Sequence, residues 1–269
     1  MTLAGLPMYD LPELRAAHDG WWRGLRGHLR AAGFAEAPEA LDRSLPAPAL
    51  WRDPTLLLAQ CCGYDLRLGD PPLPCYLATP HYDLPGCEGP LYCSFLVVRE
   101  EEEAEGLADL RGQRAAVNMA GSHSGQNVLR YLVSQVSAAR PFFREVLESG
   151  GHRASLAAVR EGRADLAAID CVTFGLIARA APGEVAGLRV LERSPAVPGL
   201  PYVTAPGAAA ETVAALQSAL LAAVEDAALA EARAALALSG FSLLSAGDYD
   251  PLVEMAGRAE ALGQAPLLP

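Results

Sequence analysis

Three places in this chain carry side chains of the kind that grip small charged molecules. One is Ser122-His123-Ser124, set between Gly121 and Gly125 in the stretch RAAVNMAGSHSGQNVLRY from Arg114 to Tyr131. Another is His152, directly after Gly150 and Gly151, and the third is Asp170, which ends the run LAAID. Ala115, Ala116 and Val117 read as a buried strand, while Val128, Leu129, Leu132 and Val133 recur at helical intervals, so the serine loop opens a helix. Unpaired N–H groups at such a start, those of Gly125 and Gln126 among them, combine with the helix dipole and two hydroxyls into a site suited to an oxyanion. The plainer reading is that Ser122 or Ser124 caps the helix and nothing more.

The elements that position these residues follow an α/β rhythm. Residues 3–8 read as a first strand, and residues 10–32 as an amphipathic helix with Leu14, Trp22, Leu25 and Leu29 inward. The segment TLLLAQCCGYDL (55–66) reads as a short helix turning at Gly63, and LYCSFLVVR (91–99) as a strand. A helix from Arg153 to Arg160 stops at Gly162, the strand LAAID follows, and another helix starts near Thr173. The run LRVLERSPAVPGLPYVTAP gives two strands around a Pro-punctuated crossover, and two Ala-rich helices finish the chain. Segments ending near Arg99 and spanning Ser194 to Tyr202 flank a compact block, a layout that fits two lobes joined by crossover segments with a ligand cleft between them.

Composition narrows the chemistry. With 269 residues, 51% of them hydrophobic and 20% charged, the chain can bury a core or two. A formal charge of −11 opposes a nucleic-acid partner. All 21 basic residues are arginine, which removes Schiff-base chemistry, pyridoxal phosphate and the P-loop lysine. GSHSG is not a GxSxG nucleophile elbow, because its third residue is His123. No run of about 18 apolar residues occurs, so no membrane span is expected, and no basic-then-apolar leader opens the sequence. The cysteines, at 61, 62, 75, 87, 93 and 171, form no CxxC pair, and no metal site or cofactor is expected of them. The turn at Cys62 and the loop at Cys87 are expected side by side, as a disulfide in an oxidising compartment and as thiols otherwise; Cys61 and Cys93 are alternative partners.

Taken in order, several segments resemble the phosphate/phosphonate (PhnD-like) family of ABC transporter solute-binding proteins. They are Asp109–Arg114, Gly121–Gly125, Gly150–His152, Glu161–Asp170, Ser194–Gly199 and Gly247–Pro251, with a looser match at Gly63-Tyr64 and Tyr92–Val98. The resemblance implies the two-lobed type II periplasmic-binding-protein fold, with residues 1–98 and 197–269 in one lobe and 99–196 in the other. It implies a noncatalytic binder of a small oxyanion such as phosphate, phosphite or a phosphonate, a monomer acting by lobe closure and feeding an ABC importer permease. The implied ligand-binding residues are Tyr64, Tyr92, Ser122, His123, Ser124, Gly125, Gln126, His152 and Asp170. Two departures stand out: Gly199-Leu200-Pro201 lacks the second acid of aminophosphonate binders, and Cys61-Cys62-Gly63 replaces a more polar turn. The family is periplasmic; without a leader in the sequence, a cytoplasmic ligand sensor of the same fold is the alternative, and a thiol-using binder of a soft metal or metalloid is another.

Overall fold

The computed structural model describes residues 2–137 and 141–268. Its contacts divide the chain into two units, each with its own mixed sheet. The first holds Met1–Asp83, Glu88–Leu91 and Pro198–Tyr249; the second holds Leu84–Cys87, Tyr92–Val197 and Asp250–Pro269.

In the first unit the strands lie in the order Leu3–Gly5, Leu56–Gln60, Tyr202–Thr204, Cys75–Tyr82 and Leu238–Ser242. The first pair is parallel and the later pairs antiparallel. The helix Arg15–Ala31 turns Trp21, Trp22, Leu25 and Leu29 inward, all 1% exposed or less, and packs on the helices Ala210–Glu225 and Ala230–Ala235. Leu56–Gln60 corrects the expectation of a helix over 55–66. Every residue of that strand is buried, flanked by a strand on each side, so no alternation of polar and apolar residues marks it. The strand Leu238–Ser242 was likewise absent from the sequence reading, and Gly240 explains why: it interrupts the apolar pattern and stands close to the His81 ring.

The second unit's sheet runs Glu145–Glu148, Arg114–Val117, Leu166–Asp170, Ser94–Arg99 and Leu188–Arg193. Its first three strands are parallel and the last two antiparallel to their neighbours. Leu96, Val98, Val117, Leu129, Val133, Phe142, Phe143 and Leu166 fill one core beneath it. Asp165 pins the parallel pair together. Its carboxylate accepts from the backbone N–H of Arg114 at 2.9 Å and from the Arg114 guanidinium at 2.8 and 3.0 Å, with Arg99 adding a bond at 3.1 Å. The helix His152–Arg160 ends at Gly162, whose φ of 71° lets the chain turn into the next strand.

The division differs from the expected one at four places, of which Leu84–Cys87 and Val197, both expected in the first lobe, belong to the second unit. Residues 92–98 belong to the second unit, because Ser94–Arg99 pairs on both edges within its sheet. Residues 250–269 also belong there: the helix Asp250–Ala261 packs on Val128–Val136, and Leu268 N–H donates to the Gln126 side chain at 2.7 Å. That C-terminal helix, which follows the two Ala-rich ones, was not anticipated.

Candidate functional site

Parallel strands put the starts of their following segments side by side, and the second unit has three such strands in adjacent positions. After Arg114–Val117 comes the serine loop, after Glu145–Glu148 come Gly150, Gly151 and His152, and after Leu166–Asp170 comes the helix Cys171–Ala180. Ser149 N–H donates to the Val117 carbonyl at 2.9 Å and Gly150 N–H to that of Asn118 at 2.8 Å, which ties the first two loops together. Tyr92 joins this edge of the sheet, since it stands two residues before Ser94, the partner of Asp170 across the ladder.

The serine loop enters its helix through one wide turn. The Ser122 hydroxyl accepts from Gly125 N–H at 3.1 Å, and the Ser122 carbonyl accepts from Gln126 and Asn127 N–H at 3.2 and 3.1 Å. The capping role and the polar role of Ser122 therefore coexist: its oxygen caps the helix while its hydroxyl proton stays available. Asn118 presses its Oδ1 against Gly125, leaving no room for a side chain there, as a Cβ on Gly125 would lie 1.8 Å from that oxygen. Nothing in the sequence reading singled out Asn118. Its signal was a polar residue at the very end of a buried strand.

His152 reaches the loop directly, with Nε2 2.8 Å from Ser124 Oγ. The enclosure of its ring lowers its pKa to about 4. Burial likewise brings His123 to about 4, and that residue is 1% exposed. Asp170 is 2% exposed and caps the helix Cys171–Ala180 by accepting from Thr173 N–H at 2.8 Å. Tyr92 is buried at 3%.

Of the nine expected ligand residues, eight belong to the second unit. Tyr64 belongs to the first, half-buried on the helix Gly63–Leu68. Two expectations need correction. The N–H groups of Gly125 and Gln126 turn inward to Ser122, because a capped first turn consumes them. Ser124 N–H, in the same turn, has no backbone acceptor among the described residues. The Gln126 side chain is committed as well, donating to the Ala120 carbonyl and accepting from Leu268 N–H. The expected meeting of Cys62 and Cys87 gives way to another: Cys87 Sγ lies 3.6 Å from Cys171 Sγ, because the loop at Gly86 packs on the helix beginning at Cys171. Among the described residues no disulfide joins any cysteine.

The family described as "ABC transporter, phosphonate, periplasmic substrate-binding protein" matches residues 82–249, more than half of the sequence. The chain belongs to this family. No curated protein matches the sequence. Solved structures with the same fold include the binding protein component of an ABC phosphonate transporter, PA3383, from Pseudomonas aeruginosa. It is 16% identical, with 97% of this chain and 87% of that one covered, at a TM-score of 0.78. PhnD1 from Prochlorococcus marinus in complex with methylphosphonate is 17% identical over 98% of both chains, at a TM-score of 0.74. XAC2383 from Xanthomonas citri bound to chloride ion is 17% identical over 97% of this chain and 98% of that one, at 0.72.

The family match spans the serine loop, His152 and Asp170 alike. Membership makes the chain a substrate-binding component of an ABC transporter, and no single helix among the described residues is long and apolar enough to cross a membrane.

Proposed function

We propose that this phosphonate-family protein binds a small oxyanion of the phosphonate or phosphate class without turning it over, and presents it to an ABC importer permease on the periplasmic side. The Ser124–His152 contact at a helix start carries this reading. In it the hydroxyls of Ser122 and Ser124 and the N–H of Ser124 face the anion's oxygens, and His152 holds Ser124 in place. With the proton on Nε2, the imidazole donates to Ser124 Oγ and frees the serine proton for the ligand; the opposite tautomer would consume it. Tyr92 and Asp170 complete the set, the carboxylate taking the proton of a singly protonated oxyanion. A histidine with a pKa near 4 is a feeble base at neutral pH, which favours binding over serine activation. A methylphosphonate complex in a protein of this fold supports the ligand class.

Calorimetry with methylphosphonate, phosphite and phosphate tests the reading. Replacing both Ser122 and Ser124 by Ala should weaken the best of these ligands by on the order of 1–3 kcal/mol, about 5- to 150-fold. Unchanged affinity in the double variant, or multiple turnovers of a phosphonate or phosphate ester that vanish in His152→Ala, would sink it.

A further inference from the structure

Three of the six cysteines meet in the second unit, apart from the hydroxyls and imidazole assigned to the anion. Cys87 Sγ lies 3.6 Å from Cys171 Sγ, and Cys171 Sγ also accepts from Cys93 N–H at 3.5 Å. The backbone enforces this arrangement. Gly86, at a φ of 91°, approaches the helix Cys171–Ala180 so closely that a Cβ on it would stand 2.9 Å from Cys171 Cβ and from the Phe95 ring. Any side chain at position 86 would therefore lift Cys87 away from Cys171. One turn along the same helix, Leu84 sits against Gly175, where a Cβ would lie 3.0 Å from its Cδ2. Cys87 N–H closes the segment by donating to the Leu84 carbonyl at 3.1 Å. Residues 84–87 are thus docked on the helix at both ends with the two sulfurs already in contact.

We propose that Cys87 and Cys171 are a disulfide-forming pair, with Cys87 as the thiol that meets the oxidant. Cys87 is half-buried, whereas Cys93 and Cys171 are 5% and 0% exposed, so only Cys87 offers its sulfur to a reagent. The oxidant is a small disulfide. The Cys87 sulfur attacks it, expels one small thiol and is left as a mixed disulfide; the Cys171 sulfur then attacks the Cys87 sulfur and expels the second small thiol. The two cysteine protons end on the two released thiols, and two electrons pass from the pair to the oxidant. The Cys87 contact holds the Cys171 thiol above the usual thiol range, which keeps the buried member from starting the exchange. A periplasmic family supplies the oxidising surroundings in which such a bond persists. The bond would staple the loop to the first turn of the helix that Asp170 caps.

Reduced full-length protein is incubated with oxidised glutathione, quenched in acid, alkylated under denaturing conditions and digested on the carboxyl side of Glu and the amino side of Asp. Cleavage at Glu88 separates Cys87 from Cys93, and the fragment Asp83–Glu88 carries Cys87 alone. The expected result is the loss of two of six alkylatable thiols, a fragment pair joining Cys87 to Cys171, and a higher thermal midpoint than the reduced protein. Cys93→Ser should retain this bridge and Cys87→Ser should lose it. Six alkylated thiols, a glutathione adduct that stays on Cys87, or a bridge from Cys171 to Cys93 would each overturn the proposal. The mapping on the unmutated protein stands without the variants, and no ligand enters it, so its failure leaves the anion reading untouched.

Discussion

Among the described residues each unit holds one serine–histidine contact of the same length. In the second unit Ser124 Oγ meets His152 Nε2 at 2.8 Å, and in the first Ser242 Oγ meets His81 Nε2 at 2.8 Å. The surroundings separate them. His81 and Ser242 stand on neighbouring strands of an antiparallel ladder, Cys75–Tyr82 against Leu238–Ser242, and neither begins a helix. The Ser242 carbonyl is taken by the Tyr76 hydroxyl at 3.0 Å. Ser124 and His152 instead begin two helices that follow adjacent parallel strands, where the first N–H groups have no partner within the helix. The pair of residue types is thus not the site. In the proposed reading the strand ends are, because parallel strands deliver helix starts together, whereas His81 and Ser242 lie within a ladder.

The two contacts also differ in how tightly a glycine serves them, and this predicts the largest effect. Gly125→Ala drives a methyl group to 1.8 Å from Asn118 Oδ1, inside a loop where Asn118 is 7% exposed and its carbonyl is tied to Gly150. Overpacking of this kind costs on the order of 3 kcal/mol and displaces the serine loop, so urea unfolding should shift and methylphosphonate affinity should fall together. Gly240→Ala meets the His81 ring at 3.0 Å, and a half-buried imidazole can swing aside. That variant should lose no more than about 1 kcal/mol and keep its affinity. Equal penalties at the two glycines would break the comparison.

Acid provides the next contrast. Burial holds His123 at about 4 against an ordinary 6.5, so between those values the unfolded chain binds more protons than the native one. The native advantage is complete above pH 6.5 and is lost as pH falls towards 4, on the order of 3 kcal/mol for His123. His152 acts in the same direction, by less, since the residue keeps some exposure. Asp165 adds a later loss: the Arg114 hydrogen bonds hold its carboxyl below the usual range, so its contribution persists above pH 3.8 and fades only as pH drops through its depressed value. Urea midpoints measured from pH 7.5 to pH 4 should therefore fall steeply, and His123→Asn should flatten the curve. A midpoint indifferent to pH across that window would show that these imidazoles are not enclosed.

How much of this was legible in the sequence depended on range. The strand, glycine loop and helix around Ser122 are local, and periodicity with turn chemistry sufficed to read them. The role of His152 depended on the family resemblance, because its partner Ser124 is brought near by two parallel strands and not by spacing along the chain. Asn118 escaped notice because its function is steric, the filling of space over Gly125. The strand Leu56–Gln60 looked helical because burial on both faces erases the period that distinguishes strands from helices. The capped amides of Gly125 and Gln126 were misjudged for a different reason: the sequence shows a helix start but not which of its first N–H groups a serine will take.

The smallest expected effect is the sharpest check on the comparison. Ser242→Ala removes one half-buried hydrogen bond to His81, whose ring keeps some contact with solvent and can recover a partner there, so the loss should be about 1 kcal/mol or less. His81→Gln should cost about as much, since the amide can still reach across the ladder to the serine. Neither change touches a helix start, and oxyanion affinity should remain that of the parent protein, measured by calorimetry beside Ser124→Ala. If Ser242→Ala weakened phosphonate or phosphate binding as much as Ser124→Ala does, the first unit's contact would belong to the ligand, and strand ends would no longer explain which of two equal contacts is the site.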